Sequence, residues 1–82
     1  MRYWTITDGY WKPQETVNGI VSTPLTNDRL ANDLIHKHRL RARKLRLESD
    51  YWVEDFGDEI RIYILDGRKS RCLINLQFEE ED

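Results

Sequence analysis

A small α+β fold, an antiparallel sheet packed on one amphipathic helix, is the class this sequence predicts. Three observations predict it. Residues 26–46 place apolar side chains at helical spacing. Residues 51–78 hold runs that alternate apolar and polar side chains, most clearly Ile60, Ile62 and Ile64. Three of the four glycines follow Asp or Asn, at Asp8-Gly9, Asn18-Gly19 and Asp66-Gly67. Such dipeptides favour tight turns because both residues tolerate positive φ. At 82 residues the chain has room for one domain, 1–82.

Residues 2–23 read as a β-hairpin or meander. Two-residue turns at Asp8-Gly9 and Asn18-Gly19 pair Thr7 with Tyr10 and Val17 with Ile20. Alternation then gathers Trp4, Ile6, Trp11, Val17 and Ile20 on one face. Pro13 cannot donate to a ladder and Glu15 falls on the apolar face, so a break is expected between Lys12 and Glu15. The fallback is one hairpin, roughly 2–8 with 16–22.

The helix over 26–46 follows from its ends and its stripe. Thr26 is a good N-cap, and Asp28 suits the positive end of the helix dipole. Leu25 and Leu30 bracket the cap as a hydrophobic staple. Leu30, Ala31, Leu34, Ile35, Ala42 and Leu45 form a stripe about 140° wide, with His38 in its middle and Leu40 outside it. His38 is therefore expected to be more buried than His36. A second row, Arg29, Asn32, His36, Arg39, Arg43 and Arg46, runs along the other side.

Residues 51–78 read as a three-stranded antiparallel meander: 51–56, 59–65 and 68–78, with a turn near Phe56-Gly57-Asp58. A three-residue loop, Leu65-Asp66-Gly67, closes Ile64 on Arg68, with glycine at the left-handed position of a G1 bulge. That register sets Ile62 opposite Ser70 and Ile60 opposite Cys72. It predicts an inner face of Ile60, Ile62, Ile64, Ser70, Cys72, Ile74, Leu76 and Phe78, with Cys72 a buried, inert thiol. The acidic tail, 79–82, is expected to fray.

Charge is segregated. The net charge is -2, yet residues 1–46 hold nine Lys/Arg against four Asp/Glu, while residues 47–82 hold four against eleven. A charged helix and charged loops neutralising each other explain this, as does a surface for a polyanion.

Catalytic and metal constellations are not found. His36 and His38 lie two apart on a helix, about 200° round, so they cannot share an ion. Asp33 and His36 are spaced as a local pair. Asp55, Asp58 and Glu59 do not match the spacing of a calcium loop. Asp55-Phe56-Gly57 spells a kinase motif in a chain far too short for a kinase. The single Cys72 excludes an internal disulfide. No metal, no cofactor and no enzymatic activity are expected.

No apolar run approaches the roughly 20 residues of a membrane span. Met1–Thr5 lack the apolar stretch of a signal peptide, and the expected location is cytoplasmic, with no membrane partner.

The function expected is that of a small non-enzymatic binding or regulatory protein acting through protein–protein contacts, including self-association. The alternative is a nucleic-acid-binding protein using the basic ridge Arg29–Arg46. Candidate binding residues are Arg29, His36, Arg39, Leu40, Arg43 and Arg46 on the helix. Tyr3, Tyr10 and Tyr63 join them as aromatics on the sheet surface opposite the apolar face.

Overall fold

A computed structural model describes residues 1–8, 17–44, 50–66 and 69–82. Its elements are β1 (Arg2–Asp8), β2 (Val17–Thr23), α1 (Asn27–Lys44), β3 (Asp50–Asp55), β4 (Glu59–Asp66) and β5 (Lys69–Glu81). The strands form one antiparallel sheet in the order β2-β1-β5-β4-β3. β2 and β3 lie at opposite edges, so α1 is carried across one face of the sheet. Eighteen residues of helix give about 27 Å, enough to cover five strands about 4.8 Å apart.

The core lies between that face and α1. Trp4, Ile60, Ile62, Ile64, Leu73, Ile74 and Leu76 are buried from the sheet, and Leu30 and Ala31 from the helix. Leu25, Leu34, Ile35, Tyr51 and Phe78 pack around them. Trp4 meets Phe78 edge-on, with ring centroids 5.2 Å apart.

The helix starts as the sequence predicts. The Arg29 N–H donates to Thr26 Oγ1 at 3.4 Å, and the Leu30 N–H to the Thr26 carbonyl at 2.9 Å. Leu25 and Leu30 both reach the core. His38 is buried and His36 exposed, while Leu40 is 46% exposed. Leu45 lies outside the described residues. Asp33 has its ion pair with Lys37, one turn on at 3.0 Å, not with His36.

The N-terminal strands take the single-hairpin form. Asp8 pairs with Val17, and β2 runs straight through Asn18-Gly19, which is strand and not a turn. Both edges of β1 are filled, by β2 and β5, with Thr7 opposite Asn18 and Asn75. Alternation along this strand turns Ile20 away from the face that Trp4 shares with Val21, while the side chain of Val17 lies outside the described residues. Ile20, expected in the core, is accordingly 74% exposed, opposite Thr5. The Asp8-Gly9 turn, Trp11 and the break at Lys12–Glu15 lie outside the described residues.

The β4–β5 register corrects the sequence reading. Asp66 pairs with Lys69 and Ile64 with Arg71, so the Ile64–Arg68 closure does not occur. A bulge between Ile62 and Tyr63 then shifts the ladder: Tyr63 faces Cys72, but Ile62 faces Ile74, leaving Leu73 as the extra residue. Leu73 and Ile74, adjacent in sequence, are both buried. Ile60 faces Leu76 rather than Cys72. Ser70 and Cys72 turn to the open face and are exposed. The bulge lets Leu73 and Ile74 both enter the core.

The acidic end does not fray. β5 continues to Glu81, with Glu81 opposite Arg2 and Glu80 opposite Tyr3, past a second bulge at Glu79. The Asp82 N–H donates to the Met1 carbonyl at 3.0 Å, and Arg2 Nε lies 3.9 Å from Glu81 Oε1. Pairing with β1 supplies the backbone hydrogen bonds that composition alone does not reveal.

Candidate functional site

The side of the sheet away from α1 carries no covering layer among the described residues, and its β3–β4 corner is where aromatic side chains collect. The β3–β4 turn sets this corner. The Phe56 N–H donates to the Glu59 carbonyl at 2.8 Å, making Gly57-Asp58 the two central residues. Gly57 has φ +91°, the left-handed region that a primed hairpin turn requires at that position. The Gly57 N–H also donates to Asp55 Oδ1 at 2.9 Å.

From that turn, alternation carries Trp52, Glu54 and Phe56 to the open face, opposite Tyr63, Arg61 and Glu59. Trp52 stacks on Tyr63 with centroids 5.6 Å apart and planes 12° from parallel. The Arg61 guanidinium lies 5.2 Å from the Phe56 ring centre. A hydrogen bond to Glu54 raises the Tyr63 phenol above its ordinary range, against a smaller opposing effect of Arg61. Glu59 accepts from Asn75 Nδ2 at 2.9 Å, Arg61 at 3.0 Å and Gln77 Nε2 at 2.6 Å. These bonds hold its carboxyl below the usual glutamate range.

Trp52 and Val53 are each 38% exposed and Phe56 is 53% exposed. They sit on or beside an edge strand, since among the described residues β3 pairs with β4 alone. Backbone groups alternate along an antiparallel strand. Counting from Phe56, residues 54, 52 and 50 direct their N–H and C=O groups to β4. Residues 51, 53 and 55 present theirs to the free edge.

Where β3 ends, a cleft of about 610 Å³ opens against the start of α1, lined by residues that include Trp4, Phe78, Arg2, Asp28, Asp55 and Asp58. Asn27 organises it. It accepts from Arg2 at 3.0 Å and donates to Asp55 Oδ1 and the Gly57 carbonyl, each at 3.0 Å. At the other end of β3, Tyr51 OH is hydrogen-bonded to His38 Nδ1, and the Arg39 guanidinium lies 5.1 Å over the Tyr51 ring.

The residues singled out from sequence fall on two opposite faces. Arg29, His36, Arg39 and Leu40 are exposed on α1. Tyr3 and Tyr63 are half-buried on the open side of the sheet. Those two are far apart: Tyr3 faces Glu80 and Tyr63 faces Cys72, about 26 Å along the strands. The Tyr3 hydroxyl donates to Asp82 Oδ2 at 3.1 Å, beside Thr5, Ile20, Glu79 and Glu80. Arg43 lies in α1 with its side chain outside the description, and Tyr10 and Arg46 lie outside the described residues. The sequence reading missed Trp52, Phe56, Arg61 and Asn27. The signal for the first three was available, because Trp52, Glu54 and Phe56 share one parity across the turn from Arg61 and Tyr63.

Among the described residues no three His, Cys, Asp or Glu side chains form a group able to hold a metal ion, and no helix is long and apolar enough to cross a membrane. The Cys72 thiol is exposed, with its pKa raised by partial desolvation. No protein-family model, curated protein or solved structure matches the chain.

Proposed function

We propose that this is a non-enzymatic binding protein that contacts another protein through β3 and the aromatic row beside it. The observation that carries the reading is exposed Trp52 and Val53 on an edge strand, with exposed Phe56 directly beyond its end. Edge strands usually carry protection against pairing, and large apolar side chains there mark a contact surface. Trp, Tyr and Arg are the side chains that dominate binding energy at protein interfaces, and Trp52, Tyr63 and Arg61 adjoin one another here.

The alternative, nucleic acid held along the helix ridge, draws on the exposure of Arg29, His36 and Arg39. Their separation along the helix is about 15 Å from Arg29 to Arg39. The net charge of -2 weighs against it.

A photoreactive benzophenone amino acid placed at Val53, and separately at His36, distinguishes the two in cells of the source organism. The expected result is a protein adduct from position 53 and none from position 36. No protein adduct from position 53, or a nucleic-acid adduct from position 36, overturns the reading.

A further inference from the structure

The partner's chemistry is readable from the same edge. We propose that β3 takes up a basic, extended peptide segment as a sixth strand of the sheet, an inference that rests on β3 being a protein-contact surface.

The backbone supplies the register. Residues 51, 53 and 55 present three N–H and three C=O groups outward, a template for strand addition. Charge supplies the selectivity. β3 carries Asp50, Glu54 and Asp55 and no Lys or Arg. Its acidic character continues into the turn at Asp58 and into the cleft with Asp28, where Arg2 is already engaged by Asn27 and Glu81.

A second copy of this chain fits poorly. Antiparallel self-pairing through the outward residues 51, 53 and 55 brings six carboxylates and no cation onto one pair of strands, and the register centred on Trp52 sets Asp50 opposite Glu54 at both ends, where like charges are destabilising. The same carboxylates favour Lys or Arg at alternate positions of a different strand. Lys or Arg on the open side of that strand meets Asp50 and Glu54, with the aliphatic stems along Trp52 and Phe56, and its apolar positions meet Val53 on the helix side. The other sheet edge offers less: β2 contains Asn18 and Gly19, and among its described side chains Ile20 is the strongly exposed apolar one.

The test measures binding of capped eight-residue peptides to the full chain by fluorescence anisotropy at two salt concentrations. The probe alternates Lys and Val. One control alternates Glu and Val, and a second keeps the Lys/Val sequence but has every backbone N–H methylated. The probe is expected to bind at least about tenfold more tightly than either control, with affinity falling as salt rises. Val53→Pro removes one outward N–H without touching the β4 ladder and should weaken binding by about tenfold. Should that variant fail to fold, Glu54→Gln with Asp58→Asn carries the test, weakening binding about threefold and flattening its salt dependence. Arg29→Gln should leave binding unchanged.

Equal binding of the methylated peptide overturns strand addition, and equal binding of the acidic peptide overturns the charge argument. A dimer in sedimentation that Val53→Pro abolishes makes the occupant a second copy and overturns the proposal. If no peptide binds while the position-53 adduct persists, strand addition falls and the protein-contact reading stands. Loss of that adduct removes the reading itself.

Discussion

On the helix side of the sheet, Ile60, Ile62 and Ile64 are fully buried and nothing about their neighbours was needed to place them. On the open side, the same strand carries Glu59, Arg61 and Tyr63, and each is placed by a particular partner: Asn75 and Gln77, Phe56, and Trp52. The first face is held by non-directional burial, which any apolar alternation of the right period supplies. The second is held by cross-strand pairs, which depend on register. A one-residue change of register leaves β4's own alternation intact but reassigns every pair. The two faces should therefore differ sharply in how they respond to truncation.

The largest difference is expected within one strand. Ile62→Ala opens a cavity beneath α1 and should cost about 2–5 kcal/mol of unfolding free energy. Tyr63→Ala, one residue on, loses its stacking on Trp52 and should cost about 1 kcal/mol. Urea unfolding of both variants measures this. Comparable losses would mean that the open face is a second core, covered by something in the folded protein.

A smaller contrast sharpens the β5 register. Leu73 is buried and Cys72 is exposed, so Leu73→Ala should cost about 2–4 kcal/mol and Cys72→Ser less than about 0.5. The closure of Ile64 on Arg68 demands the reverse order. Native-state labelling of Cys72 by a maleimide reads the same point without a substitution: the thiol should react fully before the protein unfolds.

The core was legible because its signals are local. Thr26, Leu25 and Leu30 define one end of α1 from six residues of sequence, and His38 takes its burial from helical phase alone. The β4–β5 register was not legible, because the bulge at Leu73 is chosen by what β5 meets on both sides. Residues 74–77 pair simultaneously with β1 and β4, so apolar Ile74 and Leu76 must face in beside Trp4 and Ile6 as well as Ile60 and Ile62. Asn18-Gly19 misled for a related reason. Turn propensity is weak beside a seven-pair ladder with β1, and the described glycine with positive φ is Gly57, which follows Phe56. The open-face site was half legible. Parity groups Trp52, Glu54 and Phe56, but that β3 is an edge strand follows only from the long-range β1–β5 pairing that ends the sheet where it does.

The smallest effect concerns the network that ties the open face together. Glu59 is ionised against Asn75, Arg61 and Gln77, and these bonds, led by Asn75, depress its pKa below the ordinary glutamate value of 4.5. A carboxyl with a lower pKa folded than unfolded stabilises the protein fully above its unfolded pKa, and that contribution disappears as pH falls through the folded value. Wild type and Glu59→Gln should therefore differ by a constant amount from neutral pH down to about 5, and converge below 4.5. The glutamine retains acceptor capacity for Asn75 but not the charge that Arg61 faces, so the constant offset should be small. The helix side has no counterpart that depends on this carboxylate, so Ile62→Ala in the Glu59→Gln background should lose the same free energy as in wild type, the two sites acting additively. Acid unfolding curves of the four proteins, analysed as a double-mutant cycle, decide the matter. Curves for wild type and Glu59→Gln that remain parallel to pH 3 would show that the network does not prefer the carboxylate. A coupling energy between Glu59 and Ile62 well above about 0.5 kcal/mol would show that the two faces are not independent.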